Sequence, residues 1–358
     1  MISNKGDGRE KAAKRLFKIA WRDERPQEVV QAGAIPLLVS YLGPLTRSSL
    51  KIRALKVLRA LSYYEPASRL LIMEAGAVKP LSKLLTAKAQ AVSVNAALTL
   101  GYLAKDPQNR PAIAAVGVPA VLLKIVVSTD PNVRQTERIY ARALNALYFL
   151  TLDESIAREL ATRQTLEVLR TKIQASEDLY LKMFAAMVLA NLVLDPALLG
   201  MLEVGYDVIE VMRLFLEEGL RGDDKSILSL GDVARGVQKL SALPQNNVLV
   251  TKSRIIFFLM KMLHSPKVQE SGKRQAEEAL GSLSRVKEHK QRMSALNGVN
   301  VFALRLYGVI QNIIYFKLEC PPNMVSTPES IFVYIMRRLP PEVRDIICFI
   351  YAESFFRD

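Results

Sequence analysis

A chain of 358 residues is longer than the roughly 250–300 residues that one hydrophobic core usually covers, so we expect either two domains or a linear core of stacked repeats. Apolar residues make up 50% of the chain and no flexible linker stands out, which excludes a disordered protein and favours one continuous body. The net charge of +14 is uneven, because residues 1–62 hold 13 basic and 5 acidic residues, an excess of +8.

Other classes of protein are excluded by what the sequence lacks. No run of about 18 uncharged apolar residues predicts a transmembrane helix, and the N-terminus has no apolar signal core. Cys320 and Cys348 do not make a disulfide framework in so long a chain. We therefore expect a cytoplasmic protein. The stretch "KAAKR" (11–15) loosely resembles a nuclear localisation signal, which makes the nucleus the alternative location.

The first predicted element is an amphipathic helix in the basic N-terminal region. Its lysines Lys11, Lys14 and Lys18 follow one another at helical spacing, so they share one face of that helix. Arg53 lies near the equivalent position of the next long helix. A row of this kind is either a solvated surface or the basic end of a binding site.

A glycine phrase then recurs along the chain. It reads "VVQAGAIPLLVSYL" at 29–42, "IMEAGAVKPLSKLL" at 72–85 and "IAAVGVPAVLLKIV" at 113–126. The glycines Gly33, Gly76 and Gly117 are 43 and 41 residues apart, and weaker copies surround Gly205 and Gly298. The larger gaps of 88 and 93 residues each fit two units, which predicts units without glycine at 160–173 and 248–263.

Between the glycine phrases lie longer segments with apolar residues at helical spacing. They cover 91–104, 139–152, 179–194 and 272–286, and proline or acidic residues follow most of them as stop and start signals. The repeating unit is therefore a short helix, a glycine corner, a second helix, a turn and a long third helix.

This unit resembles the armadillo repeat. "AALTLGYLAKDPQ" followed by "NRPAIAAVGVPAVLLKIV" matches the family pattern, and the Gly33-Ala34-Ile35-Pro36 corner matches it closely. HEAT-type repeats, the alternative, lack the glycine corner. The resemblance implies an all-α fold, a right-handed armadillo-like superhelix (α-solenoid). We expect about seven units, the first one partial, over residues 1–318, and C-terminal capping helices over 319–358.

No enzyme signature accompanies the repeats. Neither a P-loop nor a G-x-G-x-x-G motif occurs, and His264 and His289 are 25 residues apart in different units. No spacing of metal ligands or of a catalytic triad is present either. We therefore expect a non-enzymatic binding protein without catalytic residues, metal or cofactor.

The resemblance further implies that the third helices line a concave groove in which partners lie. Importin-α proteins clamp basic peptides there with Asn and Trp at two positions one helical turn apart. Only Asn191 matches this pattern, and the single tryptophan, Trp21, lies on neither row, so a basic cargo is disfavoured. The Asn position falls on Lys18, Leu61, Tyr102, Phe149, Asn191, Lys239 and Ser282, and the Trp position on Lys14, Val57, Leu98, Asn145, Met187, Arg235 and Glu278.

The groove instead has a basic end and an apolar, aromatic middle. We predict a scaffold or adaptor, a subunit of a larger assembly, that binds a protein segment with apolar anchors and acidic residues. The alternative is that nucleic acid, an acidic membrane or an acidic protein binds at the basic N-terminal end. Apolar members of these rows can also be buried between helices. The candidate groove residues are Lys11, Lys14, Lys18, Arg53, Tyr102, Asn145, Phe149, Met187, Asn191 and Arg235.

Overall fold

In the computed structural model, the chain divides into two units, residues 1–282 and 283–358. The structure describes residues 3–22, 25–128, 133–192, 206–222, 228–241, 246–285 and 291, and the regular elements within these ranges are all helical. The all-α prediction is therefore confirmed. The predicted cap at 319–358, the boundary at 318 and the glycines Gly205 and Gly298 lie outside the described residues.

The helices of the described part begin with α1 (Ser3–Phe17), which continues into a π-helical turn (Lys18–Arg22). The glycine corners at Gly33, Gly76 and Gly117 each separate two short helices, and a longer helix follows. The bounds are α2 Pro26–Gln31, α3 Ala34–Ser40, α4 Ser48–Tyr64, α5 Ser68–Glu74, α6 Val78–Leu84, α7 Gln90–Leu103, α8 Arg110–Ala114, α9 Val118–Val127, α10 Val133–Leu150, α11 Glu154–Leu160, α12 Arg163–Ala175, α13 Leu179–Leu192, α14 Tyr206–Arg221, α15 Leu230–Ser241, α16 Asn247–Lys252, α17 Ile255–His264 and α18 Glu270–Leu283.

These helices group into the predicted three-helix units. Five units are complete within the described residues, namely helices α2–α4, α5–α7, α8–α10, α11–α13 and α16–α18. Helices α14 and α15 are the second and third helices of another unit. The third helices pack in series, α4 on α7, α7 on α10, α10 on α13 and α13 on α15. Both units that lack the glycine are present, so the repeat phase read from the sequence is correct at those places.

The glycine corners have a left-handed backbone. The φ angles of Gly33, Gly76 and Gly117 are 65°, 76° and 76°. At the second corner, Gly76 N–H donates to the Met73 carbonyl (2.9 Å) and Ala77 N–H to the Ile72 carbonyl (3.3 Å), which ends α5. Glycine is favoured there because a Cβ is strained at positive φ.

The two glycine-free units turn their corners differently. Between α16 and α17, Arg254 itself adopts the left-handed conformation, with φ of 61°. Between α11 and α12, Thr162 is an extended residue whose Oγ1 accepts a hydrogen bond from Thr165 N–H (3.2 Å) and caps α12. A weak sequence signal at these corners therefore reflects a changed corner, not a missing unit.

Small residues let the third helices approach closely. Ala96 and Ala97 of α7 and Ala185 and Ala186 of α13 are fully buried. A Cβ added to Gly101 would lie 3.3 Å from the Cα of Ala146 on α10. At this point α7 and α10 lie so close together that there is no room for a side chain larger than that of glycine.

Within the described ranges, no single helix is long and apolar enough to cross a membrane. The segments Pro107–Ala114 and Val118–Val127 reach the required length and apolarity only when taken together, and they are bent by 77° at their junction.

We expect Gly76→Ala to lower the free energy of unfolding by about 1 kcal/mol, because alanine is strained in the left-handed region. A new Cβ at this corner meets nothing within 4 Å, so steric overlap does not contribute. Denaturant unfolding followed by circular dichroism measures the change.

The matched control is Gly281→Ala in α18, where an added Cβ also meets nothing within 4 Å and the backbone is helical. Alanine should raise stability there by about 0.5–1 kcal/mol. Equal effects of the two substitutions would contradict the role assigned to the left-handed corner.

Candidate partner-binding site

The third helices carry a row of partly exposed side chains that reach from one unit to the next. We call this row, together with the aromatic residues at the end of α1, the third-helix face. Most residues of α7 and α13 are buried, so these two helices contribute no member to the row. The members are Phe17, Trp21, Lys56, Arg59, Tyr63, Lys105, Arg142, Arg235, Gln238 and Lys239.

An aromatic cluster occupies the beginning of this face. The rings of Phe17 and Trp21 stack with centroids 6.1 Å apart, and Trp21 lies 5.3 Å from Tyr64 of α4. Tyr63 is 4.7 Å from Tyr64 and 5.3 Å from Tyr102 of α7. The rings therefore form a continuous contact from α1 across α4 to α7.

Cations from α4 lie over these rings. Lys56 Nζ is 5.9 Å from the centroid of Phe17, and the guanidinium carbon of Arg59 is 4.9 Å from that of Trp21. Arg59 Nη1 also donates to Asn95 Oδ1 on α7 at 3.2 Å. Cation–π attraction and this hydrogen bond hold the Arg59 side chain in one place on the face.

Lys105, directly after α7, stands among three rings. Its Nζ is 5.9 Å from the centroid of Tyr63, 5.8 Å from that of Tyr102 and 5.3 Å from that of Phe149. Burial lowers the pKa of the Lys105 ammonium, and the positive charge of Arg69 lowers it further. The rings stabilise the charged lysine, but it lacks the water that surrounds an exposed one.

None of Lys56, Arg59 and Lys105 forms an ion pair with a carboxylate in the described part of the chain. Arg53, by contrast, lies 3.5 Å from Glu10. Asp232 raises the pKa of Lys105 from beyond ion-pair distance. The face therefore has an uncompensated positive charge along α4 and α7.

Farther along the face, polar side chains join successive third helices. Lys239 Nζ of α15 donates to Asn191 Oδ1 of α13 at 2.8 Å, and Asn191 Nδ2 donates to Thr151 Oγ1 at 3.2 Å. Arg235 Nε donates to Gln275 Oε1 of α18 at 3.0 Å. These hydrogen bonds use the polar groups within the protein itself.

Metal binding has no support in the described residues, where no group of three or more His, Cys, Asp and Glu side chains is placed to hold an ion. The histidine that the structure describes, His264, ends α17 and is exposed.

A model of the Armadillo/beta-catenin-like repeat matches residues 66–105. In the structure these residues contain α5, α6 and α7, one complete unit with its glycine corner. The same three-helix unit recurs before and after it. Residues 66–105 therefore form an armadillo-type repeat, within an array of similar three-helix units.

Solved structures of designed armadillo repeat proteins are among those similar to this chain. One designed armadillo repeat protein has 20% sequence identity and a TM-score of 0.47, and the match covers 70% of this chain and 99% of that chain. A second, in complex with the peptide (KR)4, has 17% identity and a TM-score of 0.45, with 76% of this chain and 92% of that chain covered. No curated protein sequence matches the chain.

The residues predicted from the armadillo rows have different surroundings. Lys11, Lys14 and Lys18 are exposed along α1 and its π-helical turn, as their spacing predicted. Arg53 is partly exposed and paired with Glu10. Whether a partner binds to any of them stays a prediction.

The aromatic candidates Tyr102 and Phe149 are only 4% and 5% exposed, but both rings contact Lys105 at the face. Asn145, Met187 and Asn191 are buried between helices. Asn145 has no hydrogen-bond partner for either side-chain atom in the described part, and Met187 packs against Gly236 of α15. A row assigned from the armadillo pattern thus runs partly beneath the surface here.

Trp21, Arg59, Lys105 and Arg142 were not found from the sequence. Trp21 follows Phe17 by one helical turn, a spacing that predicts contact, but its partners Tyr64 and Arg59 come from another unit. Lys105 directly precedes the stop signal Asp106-Pro107, and no sequence pattern distinguishes it. The third-helix face is therefore identified by which positions of each third helix are partly exposed, and not by the Asn and Trp positions of the armadillo pattern.

We expect Trp21→Ala to lower the free energy of unfolding by about 2 kcal/mol, because it removes three ring contacts and the cation–π contact with Arg59. Trp21→Phe keeps an aromatic ring and should cost about half as much. Urea unfolding followed by circular dichroism compares the two.

Leu45→Ala is the control on stability, because Leu45 is 100% exposed and the substitution should change the free energy of unfolding by less than about 0.5 kcal/mol. A Trp21→Ala effect no larger than this would show that the aromatic cluster does not stabilise the first units.

Proposed function

We propose that this armadillo-repeat protein is a non-enzymatic scaffold that binds an acidic protein segment along the third-helix face. The observation that carries the proposal is the set of cations Lys56, Arg59 and Lys105, which lie over aromatic rings with no carboxylate partner among the described residues. An acidic segment would supply the missing negative charges.

The arrangement suits binding because the cations are already positioned. Side chains fixed by ring contacts lose little conformational freedom when a ligand arrives, so less of the interaction energy is lost. Partial burial weakens competition from water, which strengthens each ion pair. Carboxylates of the partner would set its orientation, and apolar anchors against Tyr63 and Trp21 would add affinity.

A second candidate ligand is single-stranded nucleic acid. Proteins that bind it combine cations with aromatic rings on which bases stack. The sequence shows few aromatic residues among the basic ones, whereas the folded chain brings Phe17, Trp21 and Tyr63 next to Lys56 and Arg59. Against this candidate, Trp21 already stacks on Phe17 and lies under Arg59, so a stacking base would have to displace one of them, whereas an apolar side chain needs only the part of Trp21 and Tyr63 that is exposed.

Substitution of Lys105 tests the proposed function. We expect Lys105→Met to weaken binding of a labelled peptide that repeats Glu-Leu-Asp-Gly by about tenfold, because one charge-assisted contact is lost. Fluorescence anisotropy of the full chain measures the affinity. Methionine keeps most of the side-chain length, so packing against the three rings changes little.

The matched control is Lys83→Met on α6, where Lys83 is exposed on a second helix away from the face. Its affinity should equal that of the unsubstituted chain. If both variants bind equally well, the third-helix face is not the site. If labelled oligothymidylate displaces the peptide and binds more tightly, nucleic acid is the ligand.

The lowered pKa of Lys105 predicts a dependence on pH. The charged lysine binds the acidic segment, and it loses its proton at a lower pH than the ordinary 10.5. Peptide affinity should therefore fall as the pH rises toward that value. Lys105→Arg keeps its charge throughout this range, so its affinity should fall less, and parallel curves for the two proteins would contradict the role of Lys105.

A further inference from the structure

Two arginines belong to the helices that pack against α7, the helix that carries Tyr102. Arg59 of α4 donates to Asn95 of α7, two turns before Tyr102, and Arg142 belongs to α10 on the other side of α7. Helices α7 and α10 approach closely at Gly101, where an added Cβ would lie 3.3 Å from the Cα of Ala146. Ala146 is one helical turn after Arg142, so Arg142 is near this close approach. The positive charge of Arg142 acts on both Arg59 and Tyr102.

Both guanidinium groups have hydrogen-bonding capacity that the protein does not use. Arg59 Nε is shielded from solvent and has no hydrogen-bond partner in the described part of the chain, while Nη1 is bonded to Asn95. Arg142 is partly exposed and has neither a hydrogen bond nor an ion pair with a described residue. Burial lowers the pKa of Arg59 and the positive charge of Arg142 lowers it further, and an anion bound near both groups would relieve this repulsion.

Other groups at the same place favour an anion with more than one charge. The ammonium of Lys105 lies 5.8 Å from the Tyr102 ring and adds a third positive charge. The carboxylate that acts on it, Asp232, is itself bonded to Ser229 at 2.8 Å and lies 3.8 Å from Arg235. Burial raises the pKa of Tyr102, so its hydroxyl keeps a proton to donate.

We propose that Arg59, Tyr102 and Arg142 form a subsite for a phosphoryl group carried by a side chain of the bound segment. This inference rests on the proposed function. A phosphoryl group has three acceptor oxygens and a charge of about −1.5 to −2, so it can accept from the Arg142 fork, from the Arg59 Nη2 that Asn95 does not use and from Lys105 at once. One carboxylate has two oxygens and a single charge, which suffices for one fork.

The test compares three versions of the Glu-Leu-Asp-Gly peptide, with serine, glutamate or phosphoserine at one central position, on the full chain. Phosphoserine should bind about tenfold more tightly than serine and several-fold more tightly than glutamate. Arg142→Gln should remove that gain, so that this variant binds the phosphoserine and serine peptides with similar affinities, even where the loss of one positive charge weakens both. Arg142→Lys should leave a smaller gain, because it keeps the charge but lacks the fork.

Arg138→Gln is the matched control, since Arg138 lies one turn earlier on α10 and is exposed. This variant should keep the full phosphoserine gain. An equal gain in Arg142→Gln and in the unsubstituted chain would overturn the inference, as would equal affinities for phosphoserine and serine. The proposed function fails separately, if the serine and glutamate peptides do not bind or if Lys105→Met binds them unchanged.

A small-molecule measurement does not depend on the peptide. Phenyl phosphate should raise the melting temperature of the unsubstituted chain relative to chloride at equal ionic strength, and Arg142→Gln should abolish the rise. No difference between the two proteins would overturn the inference. If oligothymidylate binds more tightly than the phosphoserine peptide and loses affinity in Arg142→Gln, the phosphate belongs to nucleic acid and the assignment to a phosphorylated protein is wrong.

Discussion

The close packing of each third helix between its neighbours is the constraint on which the rest of the structure depends. A single three-helix unit cannot bury its apolar surface alone, so every unit needs the next one. Alanine pairs in α7 and α13 and Gly101 opposite Ala146 let the helices approach. Gly236 serves the same purpose against Met187 of α13. Because most residues of α7 and α13 are buried in the core, only a narrow row of side chains from the third helices is left at the surface.

The chemistry of the third-helix face follows from that narrowness. Long basic side chains at its edge lie across the neighbouring helix, where aromatic rings of another unit meet their charged ends. Arg59 of α4 thus contacts Trp21 from the preceding unit and Asn95 from the following one. Lys105 likewise contacts rings of three successive units. The resulting charge is partly desolvated and fixed in place, which favours recognition of an anionic partner over non-specific attraction.

Farther along the chain, the polar side chains of the third-helix face form hydrogen bonds with other side chains of the protein. The polar groups of Lys239 and Asn191 bond to one another, and Arg235 bonds to Gln275. Their donors and acceptors are used to join α13, α15 and α18, so they are less available to a ligand than Arg59 and Arg142. The first part of the third-helix face, where we propose that the partner binds, therefore differs from the later part in having polar groups without hydrogen-bond partners in the described chain.

The sequence by itself determined the helical units and their phase, because the glycine corner and the apolar spacing are local signals within one unit. Even the changed corners at Thr162 and Arg254 fell where the interval between glycines predicted them. It also predicted that Lys11, Lys14 and Lys18 share an exposed face. Only the tertiary structure decided that Asn145 and Met187 are buried while Arg59 and Lys105 reach the face. The physical reason is that exposure of a third-helix residue depends on how closely the two neighbouring helices approach, and that distance is set by residues about 40 positions away in the chain.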